Sequence, residues 1–289
     1  MQDEEATPRD ARPKRWLGAI PFVSVAIAVA SIVLLNHYVH GVFIMGRGQV
    51  ESLRLMTWNI GKLYLPLDSR AADRDLAHVA KVIREIDPHV IALQELRDQR
   101  QLGRLVSALG SRYRGYLPHD QYDRRAALIS RLPVRFVPLS TSTGRTAQGG
   151  EVTIAGGEVV TMVSLHLDAF DAERRERQAE EIIAHVSRLG NEGVFLIGDF
   201  NFDAARHQDD ATGQRLYRLL TRDLVDAGER AGGTTVVSRR LDYVFYRSAR
   251  VRRVRAKVLR GRRINIMDHL PLVVEFSLRP PASRSALEQ

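Results

Sequence analysis

The chain has 289 residues, 44% hydrophobic and 27% charged, enough apolar material for a sizeable core, and this excludes whole-chain disorder and a collagen-like fold. It has no cysteine, which excludes a disulfide scaffold, a thiolate metal site and a cysteine nucleophile, and leaves the redox compartment open. Lys and Arg outnumber Asp and Glu by 43 to 34, a net of +9, which points to an anionic partner such as nucleic acid, a phosphorylated metabolite or a lipid headgroup.

The first eleven residues are polar. From Trp16 to Leu35 follow twenty residues without a charge, which as a helix would span about 30 Å, the thickness of a bilayer core. Arg9, Arg12, Lys14 and Arg15 precede the run, and the next basic side chain is Arg47, apart from the histidines His37 and His40. The positive-inside rule therefore predicts a cytoplasmic tail over 1–15, a transmembrane signal anchor over 16–36, and everything beyond it on the far side, periplasmic or extracellular. A cleaved signal peptide is the alternative, because Ala28-Val29-Ala30 would serve as a cleavage site. The anchor is favoured because the apolar run continues past Ala30 to Leu35. Residues 37–50 read as a glycine-containing linker, 51–278 as one folded domain without internal repeats, and 279–289 as a disordered tail.

Within the domain, LRLMTWNI (53–60) reads as a strand, with Leu53, Leu55 and Thr57 on one face. Leu76, Val79, Ala80, Ile83 and Ile86 form a helical stripe that Asp87-Pro88 ends. HVIALQE (89–95) is a short buried strand ending in a carboxylate, and LGRLVSAL (102–109) a helix closed by Gly110. AALIS and VRFVPL are strands, and 151–167 is a hairpin turning at Gly156-Gly157. Residues 171–189 form an amphipathic helix, GVFLIGDFN a buried strand running into a loop, and LYRLL the beginning of another helix. RLDYVFYR, VRRVRAKVL and HLPLVVEFSL close the chain as strands. Alternating strands and helices with hairpins among them indicate an α/β fold whose sheets are mixed.

Polar residues gather where the apolar runs end. Asn59 follows LRLMTW, Glu95 follows VIALQ, His166 follows TMVSL, Asp199 and Asn201 follow VFLIG, Asp242 lies in RLDYVF, and Asp268-His269 precede LPLVVEF. Singly, each has an ordinary explanation as a turn or a cap. In this order, TWNI, VIALQE, SLHLD, GDFN, RLDYVF and DHLPL resemble the motif set of the endonuclease/exonuclease/phosphatase superfamily, which includes deoxyribonuclease I-like nucleases. AALISRLPV and RRERQAEEI are similar to two further family segments, so the resemblance covers about residues 53–278.

The resemblance implies a four-layer α/β sandwich, two mixed β-sheets face to face with helices outside, and a divalent-metal-dependent phosphoester hydrolase using Mg2+ or Mn2+. It implies that Glu95, Asn59 and Asp268 hold the metal, that Asp199 orients or deprotonates the attacking water, and that Asn201 meets a phosphate oxygen. His166 and His269 would stabilise the transition state or protonate the leaving group, and Asp242 would fix the tautomer of His269. Gly61 stands where some members carry a second acidic ligand, so a second metal there is in doubt. A nuclease-like phosphodiesterase is the leading function, with nucleic acid ranked slightly ahead of phospholipid as partner, and a monomer is expected. Phospholipid or inositol-phosphate hydrolysis, or a non-catalytic anion-binding module on the same fold, are the alternatives.

The charge surplus is local. Residues 239–263 hold eleven basic residues against Asp242 alone, a net of +10, which leaves −1 for everything else. In VRRVRAKVL, Val254, Ala256 and Val258 alternate with Arg253, Arg255 and Lys257, so a strand here is apolar on one face and basic on the other. The plain reading is an edge strand protected by charge; the sharper one is an anion-facing strip.

Overall fold

In the computed structural model, residues 52–61, 69–118, 125–141, 146–204, 211–262 and 268–280 are described. The chain divides into two units, Met1–Gln49 and Val50–Gln289, and every described residue belongs to the second. The expected signal anchor, the linker and most of the C-terminal tail lie outside the described residues. Among those described, no helix is long and apolar enough to cross a membrane.

Two parallel strand pairs, each joined through a helix, are the framework. β1 (Ser52–Asn59) crosses through α1 (Ser69–Ile86) to β2 (Val90–Leu96), which lies parallel to it. After α2 (Gln99–Leu109), the short β3 (Arg114–Tyr116) and β4 (Arg125–Ser130), the chain enters β5 (Val134–Ser140), β6 (Thr146–Thr153) and β7 (Val159–His166). β7 then crosses through α3 (Ala172–Arg188) to its parallel neighbour β8 (Val194–Asp199). α4 (Ala211–Thr221), β9 (Val225–Asp226), β10 (Asp242–Arg247), β11 (Val251–Val258) and β12 (Leu272–Leu278) complete the fold. The six-stranded sheets have the orders β11-β12-β1-β2-β4-β3 and β5-β6-β7-β8-β10-β9, each with one parallel pair among antiparallel ones. Both are mixed, as the alternation of hairpins and crossovers required.

The side-chain period of two sorts residues between layers. Leu53 and Leu55 of β1 join Met162, Phe195, Ile197 and Phe276 in the core between the sheets. Met56 and Trp58 point the other way, onto Val79, Ile83, Leu102 and Leu105 of α1 and α2. On the far side of the second sheet, Val163 and Leu196 meet Ile182 of α3 and Leu216 of α4. Three apolar clusters separated by two sheets give the four layers.

Local chemistry sets several ends. Asp98 caps α2, its side chain accepting from Gln101 N, so that helix starts three residues before the apolar run suggests. Asp171 caps α3 through Arg174 N at 2.9 Å. Gly156 and Gly157, at φ 85° and 81°, turn the β6–β7 hairpin. α4 starts at Ala211, so LYRLL is its end and not its beginning; its first turns, ATGQR, carry no apolar period. β6 starts at Thr146, ahead of the expected Glu151: TAQGG, polar and glycine-rich, carries no strand period and is held by pairing with β5 and β7.

Candidate active site

Strand direction brings the polar residues together. In each sheet the parallel pair ends on the same edge, so Asn59 of β1 and Glu95 of β2 share one edge, and His166 of β7 and Asp199 of β8 share the other. β10 runs antiparallel to β8 and therefore starts at that edge, pairing Asp242 with Asp199, while His166 pairs with Asp199 from the other side. His166, Asp199 and Asp242 thus stand in one row across three neighbouring strands. β12 is antiparallel to β1, and His269 precedes it at the corresponding edge of the first sheet.

The two edges meet at Asp199, which is 1% exposed. Asn59 Nδ2 donates to Asp199 Oδ2 at 2.9 Å and to Glu95 Oε1 at 3.3 Å. His166 Nε2 and His269 Nε2 lie 3.5 Å and 3.6 Å from the same Oδ2. Asn201 N donates to Asp199 Oδ1 at 2.9 Å, and Asn201 Nδ2 to the Leu167 carbonyl at 2.9 Å. Asp242 Oδ2 is 2.8 Å from His269 Nδ1, and its Oδ1 is buried with no hydrogen-bond partner among the described residues. Asp268 is exposed, its Oδ1 3.9 Å from His269 Nε2. Gly61, at φ 56°, turns back so that its N–H reaches Asn59 Oδ1 at 2.9 Å.

Glu95 has an unusual backbone. Its φ is 61°, and the β2–β4 register slips between Gln94 and Leu96 at that point. A bulge of this kind re-aims one side chain at a local cost, a device common beside functional sites. Here it leaves the carboxylate half-buried against the Asn59 amide.

Burial and charge act on the central pair. Burial raises the proton affinity of Asp199, the neighbouring His269 opposes this, and Asp242 adds to it. For His269, burial alone lowers the pKa, but Asp242 and Asp199 outweigh it and hold the imidazole above its ordinary value. A carboxylate that takes up a proton readily therefore faces an imidazole that stays protonated readily.

One further observation decides the family. A model of the endonuclease/exonuclease/phosphatase family matches residues 56–265, well over half of the chain. The chain belongs to this family.

No curated protein matches the sequence. Among solved structures, the chain resembles an endonuclease/exonuclease/phosphatase from Beutenbergia cavernae, with 24% identity and a TM-score of 0.63 over 79% of this chain and 72% of that one. TDP2 from Caenorhabditis elegans is 20% identical with a TM-score of 0.61, covering 81% and 77%. The human Nocturnin catalytic domain, determined with a bound sulfate anion, is 20% identical with a TM-score of 0.60, covering 79% and 94%. At these identities the likeness is one of fold. Endonuclease/exonuclease/phosphatase proteins are usually hydrolases acting on phosphoesters and generally use a divalent metal.

Two groups of atoms in this family member could meet a cation. Asp199, Asp242 and His269 each place one ligand atom within 4.8 Å of the others, all buried. Glu95 offers a half-buried carboxylate beside the Asn59 Nδ2, and Asp268 an exposed one beside His269, while Asn59 Oδ1 accepts from Gly61 N. The buried trio fits a cation less well, because Asp242 Oδ2 and His269 Nδ1 already bond each other.

Several supporting residues carry no motif of their own. Trp58 Nε1 donates to the His269 carbonyl at 3.3 Å from within the first sheet's core. Thr234 Oγ1 accepts from the backbone N–H groups of Leu241 and Asp242, at 3.0 and 3.1 Å, while its carbonyl accepts from Leu270 N at 2.7 Å. This one threonine joins the two segments that carry Asp242 and His269. Asp226 braces the same region, bonding the buried Arg240, Tyr217 Oη at 3.1 Å and Gly228 N at 2.9 Å. Arg240 therefore belongs to the interior and drops out of the basic strip expected from composition. Arg250 and Arg262 are likewise held, by Glu158 and Glu85. A Thr eight residues before a strand-borne Asp is too common a pattern to have singled out Thr234.

Proposed function

We propose that the protein is a divalent-metal-dependent, nuclease-like phosphodiesterase that hydrolyses its substrate by in-line attack of water on phosphorus. We further propose that it acts outside the cytoplasmic membrane, tethered by the uncharged run Trp16–Leu35, with the basic cluster before that run supporting this orientation. The observation that carries the catalytic reading is Asp199, a buried carboxylate within 3.6 Å of two imidazole nitrogens and bonded to Asn59 from the opposite sheet.

Asp199 orients the attacking water and accepts its proton, a role that its burial-raised proton affinity favours. The Asn201 N–H locks Oδ1, leaving Oδ2 toward the histidines. The second proton of Asn201 Nδ2 is available to a phosphate oxygen, the first being given to Leu167. Asp242 accepts from His269 Nδ1, and together with Asp199 it keeps the imidazole protonated, so that Nε2 also carries a proton, which is offered to charge on the phosphoryl group or to the leaving oxygen. His166 presents its Nε2 from the other side of Asp199. A hard cation held by Glu95, Asn59 and Asp268 would neutralise charge developing on the phosphoryl oxygens.

Hydrolysis of bis(p-nitrophenyl) phosphate with Mg2+ or Mn2+ tests this reading, against EDTA and against Asp199→Ala. Chelation should abolish turnover, and Asp199→Ala should lower kcat by about 10²–10⁴-fold. Activity indifferent to both, or absent with every metal and phosphodiester, would remove the enzyme reading and leave an anion-binding module.

A further inference from the structure

We infer that the turn Thr235–Ser238 is a specificity element of the candidate active site, its tip of two valines receiving an apolar or aromatic ester group of the substrate. This rests on the phosphodiesterase reading and names the kind of ester group that reading leaves open. Among the described residues, five large apolar side chains are exposed: Val159, Phe170, Val225, Val236 and Val237. Val159 begins β7, and Val225 pairs with Tyr246 near the end of β10, so both stand at the edge away from the site. Val236 and Val237, 45% and 65% exposed, stand beside it.

The turn is bonded to the segment that carries His269. Val236 N donates to the Asp268 carbonyl and Leu270 N to the Thr234 carbonyl, both at 2.7 Å, and Thr235 pairs with His269 itself. Asp268 Oδ1 lies 3.9 Å from His269 Nε2, so the tip adjoins the imidazole assigned to the phosphoryl group. At the base of the turn, Thr235 Oγ1 accepts from Arg239 N at 2.9 Å. The Arg239 carbonyl accepts from Thr234 N and Thr235 N at 2.8 and 3.0 Å, and Ser238 N donates to the Thr235 carbonyl at 3.0 Å, closing the turn around the two valines. Gly233 lets the stem close, since a Cβ there would collide with the Ser238 carbonyl. The valines are therefore presented by a stiff turn, fixed relative to His269.

Turn chemistry does not call for valine here. Central turn positions favour Gly, Pro, Asn, Asp and Ser, whereas β-branched side chains suit strands. Two adjacent valines at such a tip leave apolar surface in water, and a ligand group that covers it gains by removing it from water. The occupant is an ester group of the substrate, because a group joined to phosphorus through one oxygen falls beside the Asp268-His269 segment to which the tip is bonded. The patch is two side chains wide and flanked by the exposed Ser238 and Asp268. That width fits one ester group and is too narrow to seat a bilayer.

The test compares binding of diphenyl phosphate and dimethyl phosphate to the full-length protein with Mg2+, by isothermal titration calorimetry. Native protein should prefer the diphenyl ester by about tenfold or more, and Val236→Thr/Val237→Thr should lose about five- to tenfold of that preference. Threonine keeps the β-branch, so the backbone bonds of the turn are retained. For bis(p-nitrophenyl) phosphate the same variant should raise KM by about five- to tenfold with kcat little changed. Val159→Thr/Val225→Thr, at the opposite edge, is the matched control and should keep the native preference. Equal affinity of the native protein for the two esters, or a preference that survives in the variant, would overturn the proposal. A variant that loses only its association with phosphatidylcholine vesicles would also overturn it and assign the tip to a bilayer. Should bis(p-nitrophenyl) phosphate prove inert while the diphenyl preference still depends on the valines, the phosphodiesterase reading fails and the specificity element stands.

Discussion

Glu95 shows how a single residue can be chemically legible and conformationally hidden. A carboxylate after a buried apolar run stands out in the sequence, and its family resemblance marks it as a metal ligand. Its left-handed φ of 61° and the bulge that aims it do not stand out, because they arise from the slip of β2 against β4. A non-glycine residue in this conformation costs about 1–2 kcal/mol. Glu95→Ala and Glu95→Gly both remove the carboxylate, but only the second relieves the backbone. Both should be inactive, and in urea titrations Glu95→Gly should be the more stable by about 1 kcal/mol. Equal stabilities would mean that the bulge carries no strain. Asn201, at φ 52°, raises no such conflict, since asparagine is among the residues that tolerate this region.

At the scale of elements, buried strands and amphipathic helices were readable because their apolar spacing is set by the same layers that bury them. The stripe at Leu76, Val79, Ala80 and Ile83 became the inner face of α1, and the glycine pair became the β6–β7 turn. β3 and β9 were not readable, since three and two residues carry no period. Gly198 marks a subtler limit. It sits in the buried run VFLIGD beside Asp199, where a glycine looks dispensable, yet a Cβ there would lie 2.0 Å from the Leu165 carbonyl on β7. The parallel pair that presents His166 and Asp199 comes together only because that Cβ is missing. Gly198→Ala should force the β7–β8 ladder open, at a cost on the order of 3 kcal/mol. Hydrogen exchange of the Leu167 amide, which donates to the Asp199 carbonyl at 2.9 Å, should accelerate in parallel. Native protection at Leu167 in a stable variant would refute this account.

Across the whole molecule, the sheet edge away from the site sets a limit on acid stability. His89 leads into β2, its Nδ1 accepting from Arg54 N at 2.9 Å and its carbonyl from Arg131 N at 3.0 Å. Burial first, then Arg131 and Arg54, lower its pKa to about 4. A folded-state pKa below the ordinary value of 6.5 means that the unfolded chain binds the proton sooner. The associated stability is therefore present above about pH 6.5 and is lost as the pH falls through 4. With partial exposure taken into account it amounts to on the order of 2 kcal/mol. His89→Gln keeps an acceptor for Arg54 N and removes the titration. Native protein should lose about that much more stability than His89→Gln between pH 7 and pH 4, measured by denaturant midpoints; parallel losses would exonerate His89.

The sequence by itself determined the α/β class with mixed sheets, the extents of most strands and helices, and the identity of the chemical groups. These are local quantities: apolar period, turn residues and side-chain type are all written in neighbouring positions. It also located the positive charge within residues 239–263. Only the tertiary structure decided that Asn59, bonded to Glu95 in one sheet, reaches Asp199 on the other, because that contact follows from strand direction and sheet order over a separation of 140 residues. Only it removed Arg240 from the basic surface, by burying its guanidinium against Asp226, and revealed Thr234 and Trp58 as the frame around His269. Charge counted along a chain has no direction, and a hydrogen bond from a buried residue leaves no spacing to read. Both acquire meaning once packing assigns each side chain a face and each strand a polarity.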